Sequence, residues 1–355
     1  MNDATAQPIN RRGFIRTAAL TAASAAALPN SFAYVRSASL AKSKRDLVMQ
    51  VLDASGKPNY VPAAFFQHFP AGQHTGDAAI KAHLDYFRAT GMDLLKVQFE
   101  QRYPKTVDVK TPADWAKIPV LKEDWFEPTL YVIRGLVKAA KPEALVIPTM
   151  YSHYQMANMV VPKETLLRHV QEDPEAVSRG MENIALSIMN YVRAATRAGA
   201  DGFYTCSQGG ETSAVADRAL FNRVIKSFDM LVQKEVAQLT PVNILHVCDY
   251  EGAYGEFNAR FADYPGQIVS VPLAAEGKPL SLRQAADLFK RPVMGGLDRH
   301  GVLSTGSPAE VVRATEQLLK DAPSHLVLGA NCTVRPDIPL QNLQAAIQTA
   351  HRFRA

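Results

Sequence analysis

Three side chains in this sequence form a set that could hold a metal ion. His246 and Cys248 stand two apart in the run Ile244-Leu245-His246-Val247-Cys248. In a strand, alternation puts both on one face while Leu245 and Val247 take the other. Cys332 lies far along the chain in Gly329-Ala330-Asn331-Cys332-Thr333-Val334-Arg335-Pro336-Asp337, again just after a strand-like run. One imidazole and two thiolates suit zinc, and three protein ligands leave a fourth position open, as in catalytic sites. The residues alone also permit a plainer reading, in which His246 and Cys248 pack into an apolar core. Three cysteines make at most one disulfide with one left over, so a metal competes with oxidation for them.

Such distant ligands need a scaffold that gathers strand ends into one place. Eight β-rich runs are expected as strands, at 61–67, 93–99, 144–150, 202–206, 242–248, 267–273, 292–297 and 325–329. Between and around them, helical patterns fall at 42–52, 77–90, 127–140, 163–198, 213–238, 252–263, 281–290, 307–321 and 339–353. Two of these helices announce their starts: Ser307-Pro308-Ala309-Glu310 and Ser281-Leu282-Arg283-Gln284 both spell a capping box. Eight strand–helix units without a Gly-rich dinucleotide fingerprint predict an α/β fold, a (β/α)8 TIM barrel, in one domain. Reactive groups in such barrels sit at the C-terminal strand ends, which directs attention to His246, Cys248 and Cys332. His68 and His153 fall near other strand ends and are acid–base candidates. Cys206 and Ser207 end the fourth strand ahead of Gly209-Gly210, where the backbone can approach a ligand. His83, His169 and His351 lie inside helical patterns and are expected to be structural.

Several of these runs resemble the uroporphyrinogen decarboxylase superfamily. Gly295-Gly296-Leu297-Asp298, Ser307-Pro308-Ala309-Glu310, the segment 329–337 and Pro339-Leu340-Gln341-Asn342-Leu343 carry the resemblance in the C-terminal half. Glu172-Asp173-Pro174-Glu175 leading into Gly199-Ala200-Asp201-Gly202 carries it earlier, and the similarity runs from about residue 43 to the end. It implies the same barrel. Within the superfamily the sequence looks like the zinc methyltransferases, related to methylcobalamin:coenzyme M methyltransferase and cobalamin-independent methionine synthase. Those enzymes carry a His-x-Cys and a distant Cys as zinc ligands, which match His246, Cys248 and Cys332; a decarboxylase has His where Cys332 stands. The decarboxylases also carry an arginine-bearing segment that holds a polycarboxylate, suited to fixed bidentate donors. The equivalent stretch here, Phe65-Phe66-Gln67-His68-Phe69-Pro70-Ala71-Gly72, has no Arg.

The resemblance further implies that Glu100 takes the place of a key decarboxylase Asp and that Cys206 stands where a Ser contacts substrate. Methionine synthases add a Glu ligand beyond the His-x-Cys, but the neighbourhood here is Val269-Ser270-Val271-Pro272. Asp298 and Glu276 are substitutes for it, and an open position filled by substrate or water is the simpler expectation. The functional expectation is an exported zinc-dependent methyltransferase-like enzyme that activates a thiol or another small molecule. A corrinoid or other methyl donor, with a corrinoid protein as partner, follows from the resemblance alone. The competing readings are a carboxy-lyase of the decarboxylase type and a metal- or ligand-binding barrel without catalysis.

The N-terminus carries a different signal. Asn10-Arg11-Arg12-Gly13-Phe14-Ile15-Arg16 followed by an Ala-rich run resembles a twin-arginine export motif, with Ser31-Phe32-Ala33 at a cleavage spacing. Residues 1–33 are therefore expected as a signal peptide and 34–355 as the barrel, delivered to the periplasm. The formal net charge is +5, of which the three arginines and one aspartate of 1–33 account for +2. The +3 that remains is too weak to argue for nucleic acid, and no other apolar run reaches the ~20 residues of a membrane span. Replacing Arg11 and Arg12 by Lys is expected to retain the protein in the cytoplasm, read by fractionation; unchanged periplasmic delivery would refute the assignment.

Overall fold

The computed structural model describes residues 42–248 and 254–354, and the expected signal peptide lies outside them. Seven parallel strands form one curled sheet: β1 Leu94–Val97, β2 Leu145–Tyr151, β3 Tyr204–Ser207, β4 Ile244–Val247, β5 Ile268–Ser270, β6 Val293–Leu297 and β7 Leu326–Ala330. Each pairs with the next in chain order. Short runs of β-branched and aliphatic residues, buried on both faces, are what an all-parallel sheet demands.

The eighth stave differs from expectation. Residues 61–67 form no continuous ladder, only isolated parallel bridges of Ala63 to Leu328 and of Gln67 to Val334. Leu328 N donates to Pro62 O at 2.8 Å and Ala64 N to Leu328 O at 2.9 Å, while Asp93 N donates to Ala63 O at 2.9 Å on the other side. The segment thus joins β7 to the start of β1, and Pro62 interrupts the ladder because it has no N–H to give. Asp93 locks the seam: its carboxylate accepts from Ala63 N at 2.8 Å, Tyr60 OH at 2.9 Å and His351 Nε2 at 2.7 Å. His351 lies on the last helix, Leu340–Arg352, so the closing contact also clamps the chain's end. The fold is a (β/α)8 barrel.

The helices follow the sequence signals closely where caps are explicit. Both capping boxes form, at Ser281 with Gln284 and at Ser307 with Glu310. The stretch expected as one helix at 163–198 is two, Lys163–Glu172 and Pro174–Arg197, preceded by His153–Val160. Asp173 at φ −150° breaks it and caps the second helix through Ala176 N, because the residue before Pro174 is driven out of the helical region. The 213–238 stretch becomes Arg218–Phe221, a π turn at Asn222–Lys226 and Ser227–Leu239. Of the 252–263 stretch, Phe257–Phe261 is helical. Among the described residues no helix is long and apolar enough to cross a membrane.

Strands β3 and β4 approach closely at their entry, where a Cβ built on Gly202 would fall 1.5 Å from Val242 O. Backbone in a closed ring cannot retreat. Gly202→Ala is therefore expected to cost about 3 kcal/mol or more, measured as a fall in the denaturant midpoint at unchanged slope; an unaffected midpoint would contradict this account of the β3–β4 approach.

Candidate metal centre

His246 occupies the middle of β4, paired with Cys206 of β3 and Ser270 of β5. Its face of the strand is the barrel interior, while Leu245 and Val247 are fully buried on the other. Ser270 Oγ lies 3.0 Å from His246 Nδ1, and the Tyr204 ring stacks on the imidazole at 4.9 Å. A proton on Nδ1, donated to Ser270, leaves the Nε2 lone pair for a metal. Cys248 continues the strand one step, its N–H bonded to Ser207 O at 3.2 Å. Tyr254 OH donates to the Cys248 carbonyl.

Cys332 arrives from the loop after β7. That loop is tied on one side to β6, Asn331 N to Leu297 O at 3.0 Å, and on the other to the first stave, Val334 N to Phe66 O at 2.7 Å. Arg299 N donates to Asn331 Oδ1 at 3.0 Å. The three ligand atoms converge: Cys248 Sγ to Cys332 Sγ is 3.8 Å, Cys332 Sγ to His246 Nε2 is 3.4 Å, and all lie within 4.8 Å of one another. For zinc, bonds of about 2.3 Å to sulfur and about 2.05 Å to nitrogen at tetrahedral angles place two sulfurs about 3.8 Å apart and sulfur and nitrogen about 3.6 Å apart. The donor set and its spacing fit that ion.

Around the triad the thiols differ. In the metal-free chain Cys332 accepts from the Cys248 thiol, and the His246 ring, with its proton then on Nε2, and Arg299 add to holding it well below the usual cysteine range despite its burial. Cys248, the donor in that bond and itself buried, is pushed well above it. Burial pushes Cys206 to about 12. Gln208 Nε2 stands 4.0 Å from Cys248 Sγ while its Oε1 lies 3.5 Å from Ser152 Oγ, so the amide is oriented with a donor toward sulfur.

The triad opens into a cavity of about 500 Å³, lined among others by His68, Lys96, Tyr151, Gln155, Cys206 and Arg299. A second cavity of about 470 Å³ shares His68, Tyr151 and Gln155 with it and is lined further by Glu100, Gln101, Arg102 and Lys105. His68 Nδ1 meets Glu100 at 3.0 Å, making a dyad on the wall between them. Burial raises the Glu100 carboxyl, but the hydrogen bond and charge of His68, with help from His74 and Phe69 N–H, bring it below the ordinary range.

Among the residues expected at the site, His246, Cys248, Cys332, Cys206, His68 and Glu100 line these cavities. Ser207, His153 and Asp298 do not. Ser207 follows Cys206 in the strand and so points to the opposite face, where it donates to Asp229 Oδ2 at 2.8 Å. His153 begins a helix capped by Ser152, which carries its ring into the helix layer; Nε2 bonds Val224 O at 3.0 Å and Nδ1 lies 3.2 Å from Asp229. Asp298 accepts from His300 N at 2.8 Å and shapes its own loop. Glu276, the other substitute ligand, accepts from Phe257 N at 3.0 Å.

Sequence reasoning passed over Lys96 and Gln208. Lys96 sits inside the apolar run Leu94-Leu95-Lys96-Val97 and is 6% exposed. A lysine in a doubly buried strand is itself a signal, strengthened here by Lys96, Gln98 and Glu100 recurring at a period of two on the inward face.

The family model for uroporphyrinogen decarboxylase (URO-D) matches residues 67–353. No curated protein sequence matches the chain. Among solved structures, a methyltransferase from Methanosarcina mazei superposes with a TM-score of 0.73 at 15% identity, covering 87% of this chain and 98% of that one. A B12-independent methionine synthase from Shewanella sp. W3-18-1, in complex with selenomethionine, gives a TM-score of 0.52 at 13% identity over 81% of this chain and 97% of that one. At such identities the likeness is one of fold.

The unequal thiols generate a test on metal-stripped protein. Iodoacetamide at neutral pH is expected to label Cys332 at least about tenfold faster than Cys248 or Cys206, since the thiolate is the nucleophile, as read by mass spectrometry. Labelling led by Cys206 would contradict the charge distribution described.

Proposed function

This chain belongs to the uroporphyrinogen decarboxylase family, and from that membership we propose that it is a zinc-dependent, methyltransferase-like enzyme acting on a thiol. The observation that carries the reading is the spacing of the three ligand atoms, with Sγ···Sγ at 3.8 Å and Sγ···Nε2 at 3.4 Å. The decarboxylase alternative is less well supported: Cys332 stands in the ligand set and residues 65–72 hold no guanidinium.

His246, Cys248 and Cys332 would hold the ion. When bound, zinc supplies a Lewis acid with one open position, which favours the ionised form of a thiol. Ser270 fixes the imidazole tautomer, and the Tyr204 ring limits its rotation. Gln208 directs an N–H at Cys248 Sγ and so moderates the basicity of that thiolate. His68 takes the proton that the substrate thiol releases, and Glu100 stabilises the imidazolium that results. Cys206, a neutral thiol in the cavity wall, contacts substrate. A methyl donor, a corrinoid or another methylated small molecule, would supply the group transferred to the thiolate. We further propose that the protein acts in the periplasm after twin-arginine export, which suits a barrel loaded with its ion before translocation.

The test is metal content. The mature protein is expected to bind about one zinc per chain, with Cys248→Ser and Cys332→Ser each sharply reducing occupancy and Cys206→Ser leaving it intact. Thiol addition is then expected to change the visible spectrum of the cobalt-substituted protein, and only with all three ligands present. Full zinc occupancy in both ligand variants would defeat the proposal.

A further inference from the structure

The two sulfurs of the triad can react with each other as well as hold an ion. Cys248 Sγ and Cys332 Sγ stand 3.8 Å apart, and both residues line the cavity of about 500 Å³. Neither is bonded to another cysteine. A disulfide holds its sulfurs about 2.05 Å apart, so the pair needs to close by less than one sulfur diameter. The third cysteine is differently placed. Cys206 stands within a ladder, between β2 and β4, and its sulfur lies 4.0 Å from the carbonyl of Tyr204, two residues back on its own strand.

The backbone around the pair permits that closure. Cys248 follows the last residue of β4, and its N–H is bonded to Ser207 O at 3.2 Å, so it is the fixed partner. Cys332 lies on a loop held on either side of it, by Asn331 N to Leu297 O at 3.0 Å and by Val334 N to Phe66 O at 2.7 Å. Rotation about the Cα–Cβ bond of Cys332 moves its sulfur without disturbing either hold. Cys332 is also the more accessible of the two, partly buried where Cys248 is buried. A reagent entering from the mouth therefore meets Cys332 first.

We propose that Cys248 and Cys332 form a redox-reactive dithiol, which a small organic disulfide converts to a Cys248–Cys332 cross-link that removes two of the three triad ligands at once. The Cys332 thiolate attacks one sulfur of the reagent, forming a mixed disulfide and expelling the other half as a thiolate. Cys248 then gives up its proton while its sulfur bonds to Cys332 Sγ. The bond from Cys332 to the reagent breaks, and the second half leaves with that proton as a thiol. Two cysteine sulfurs are oxidised, one disulfide is reduced, and Cys206 stays as it was. Of the triad only the His246 imidazole then keeps a free donor, too little to retain an ion. The cross-linking half of this inference rests on geometry alone; the loss of an ion rests on the metal reading proposed above.

The experiment uses the mature full-length protein, metal-stripped and zinc-loaded, with hydroxyethyl disulfide as the oxidant and peptide mapping by mass spectrometry without reductant. The metal-stripped protein is expected to yield the Cys248–Cys332 peptide pair as its main product, with Cys206 still open to alkylation after denaturation. Cys206→Ser is expected to give the same cross-link, and Cys248→Ser to stop at the mixed disulfide on Cys332, which fixes the order of attack. Zinc loading is expected to slow cross-linking at least about tenfold, since a coordinated sulfur is no longer a free nucleophile. Each cross-link is then expected to release about one zinc to a chelating dye, and reduction to restore binding. Cross-linking at the same rate with and without zinc would sink the metal reading and uphold the dithiol. Pairing of Cys206 with either other cysteine, or a mixed disulfide on Cys332 that persists while Cys248 stays free, would overturn it.

Discussion

The seam at Asp93 is the contact on which the rest depends. A parallel sheet of seven strands has two open edges, and an exposed edge is both unsatisfied and free to flex. Here Ala63 and Ala64 bond β7 on one side and β1 on the other, and the Asp93 carboxylate gathers Ala63 N, Tyr60 OH and the His351 ring around that junction. Closure makes every C-terminal strand end a neighbour of every other. Residues separated by 84 and 86 positions can then hold their ligand atoms 3.8 and 3.4 Å apart without a loop long enough to wander. The barrel's core meets the entropy of ordering those side chains, so the fold itself gathers the triad.

Closure also sorts each strand into two chemistries. On β3, Cys206 faces the cavity and Ser207 faces outward to Asp229, which also accepts from Tyr264 OH at 3.1 Å and lies beside His153. That buried polar cluster anchors the end of the strand from behind. The same strand end receives Ser152 N at Cys206 O and Cys248 N at Ser207 O, so the anchor reaches the ligand Cys248 through backbone alone. His153 is thus a structural neighbour of the site and not part of its wall.

Much of this was readable from residue order. The eight staves fall where β-rich runs sit, the capped helices begin at Ser281 and Ser307, and alternation and strand ends point to His246, Cys248 and Cys332, which the fold brings together. What failed has identifiable causes. Pro174 signalled a break in the 163–198 helix that amphipathic periodicity overrode. The first stave reads as a strand, but its pairing depends on Leu328 and Val334 at the far end of the chain, which local pattern does not reveal. His153 was misplaced because nearness to a strand end says nothing about direction once a Ser cap turns the chain into a helix. Lys96 is passed over for the opposite reason: in an apolar run its one charge reads as an exception, and only the fold shows it buried on the cavity wall.

Rigidity is distributed unevenly over the cavity, and this bears on what the site can vary. His246, Cys206 and Lys96 stand on paired strands, where a shift of one side chain would move a whole ladder. His68, Arg299 and the stretch 332–336 come from loops, each held by a few backbone bonds. Groups on strands are the most firmly placed; of those on loops, Cys332 belongs to the triad and is pinned by the backbone bonds of Asn331 and Val334, while His68 and Arg299 shape the mouth. Residues 65–72, which hold no arginine, lead out of the first stave into such a loop while the ring behind them stays closed. The inner wall nonetheless carries a charge, for Lys96 lines the same cavity as His246, Cys248 and Cys332 and is held there by the pairing of its strand. The groups lining this cavity thus differ in how firmly they are placed, with Lys96, Cys206 and His246 fixed by strand pairing and His68 and Arg299 by loops.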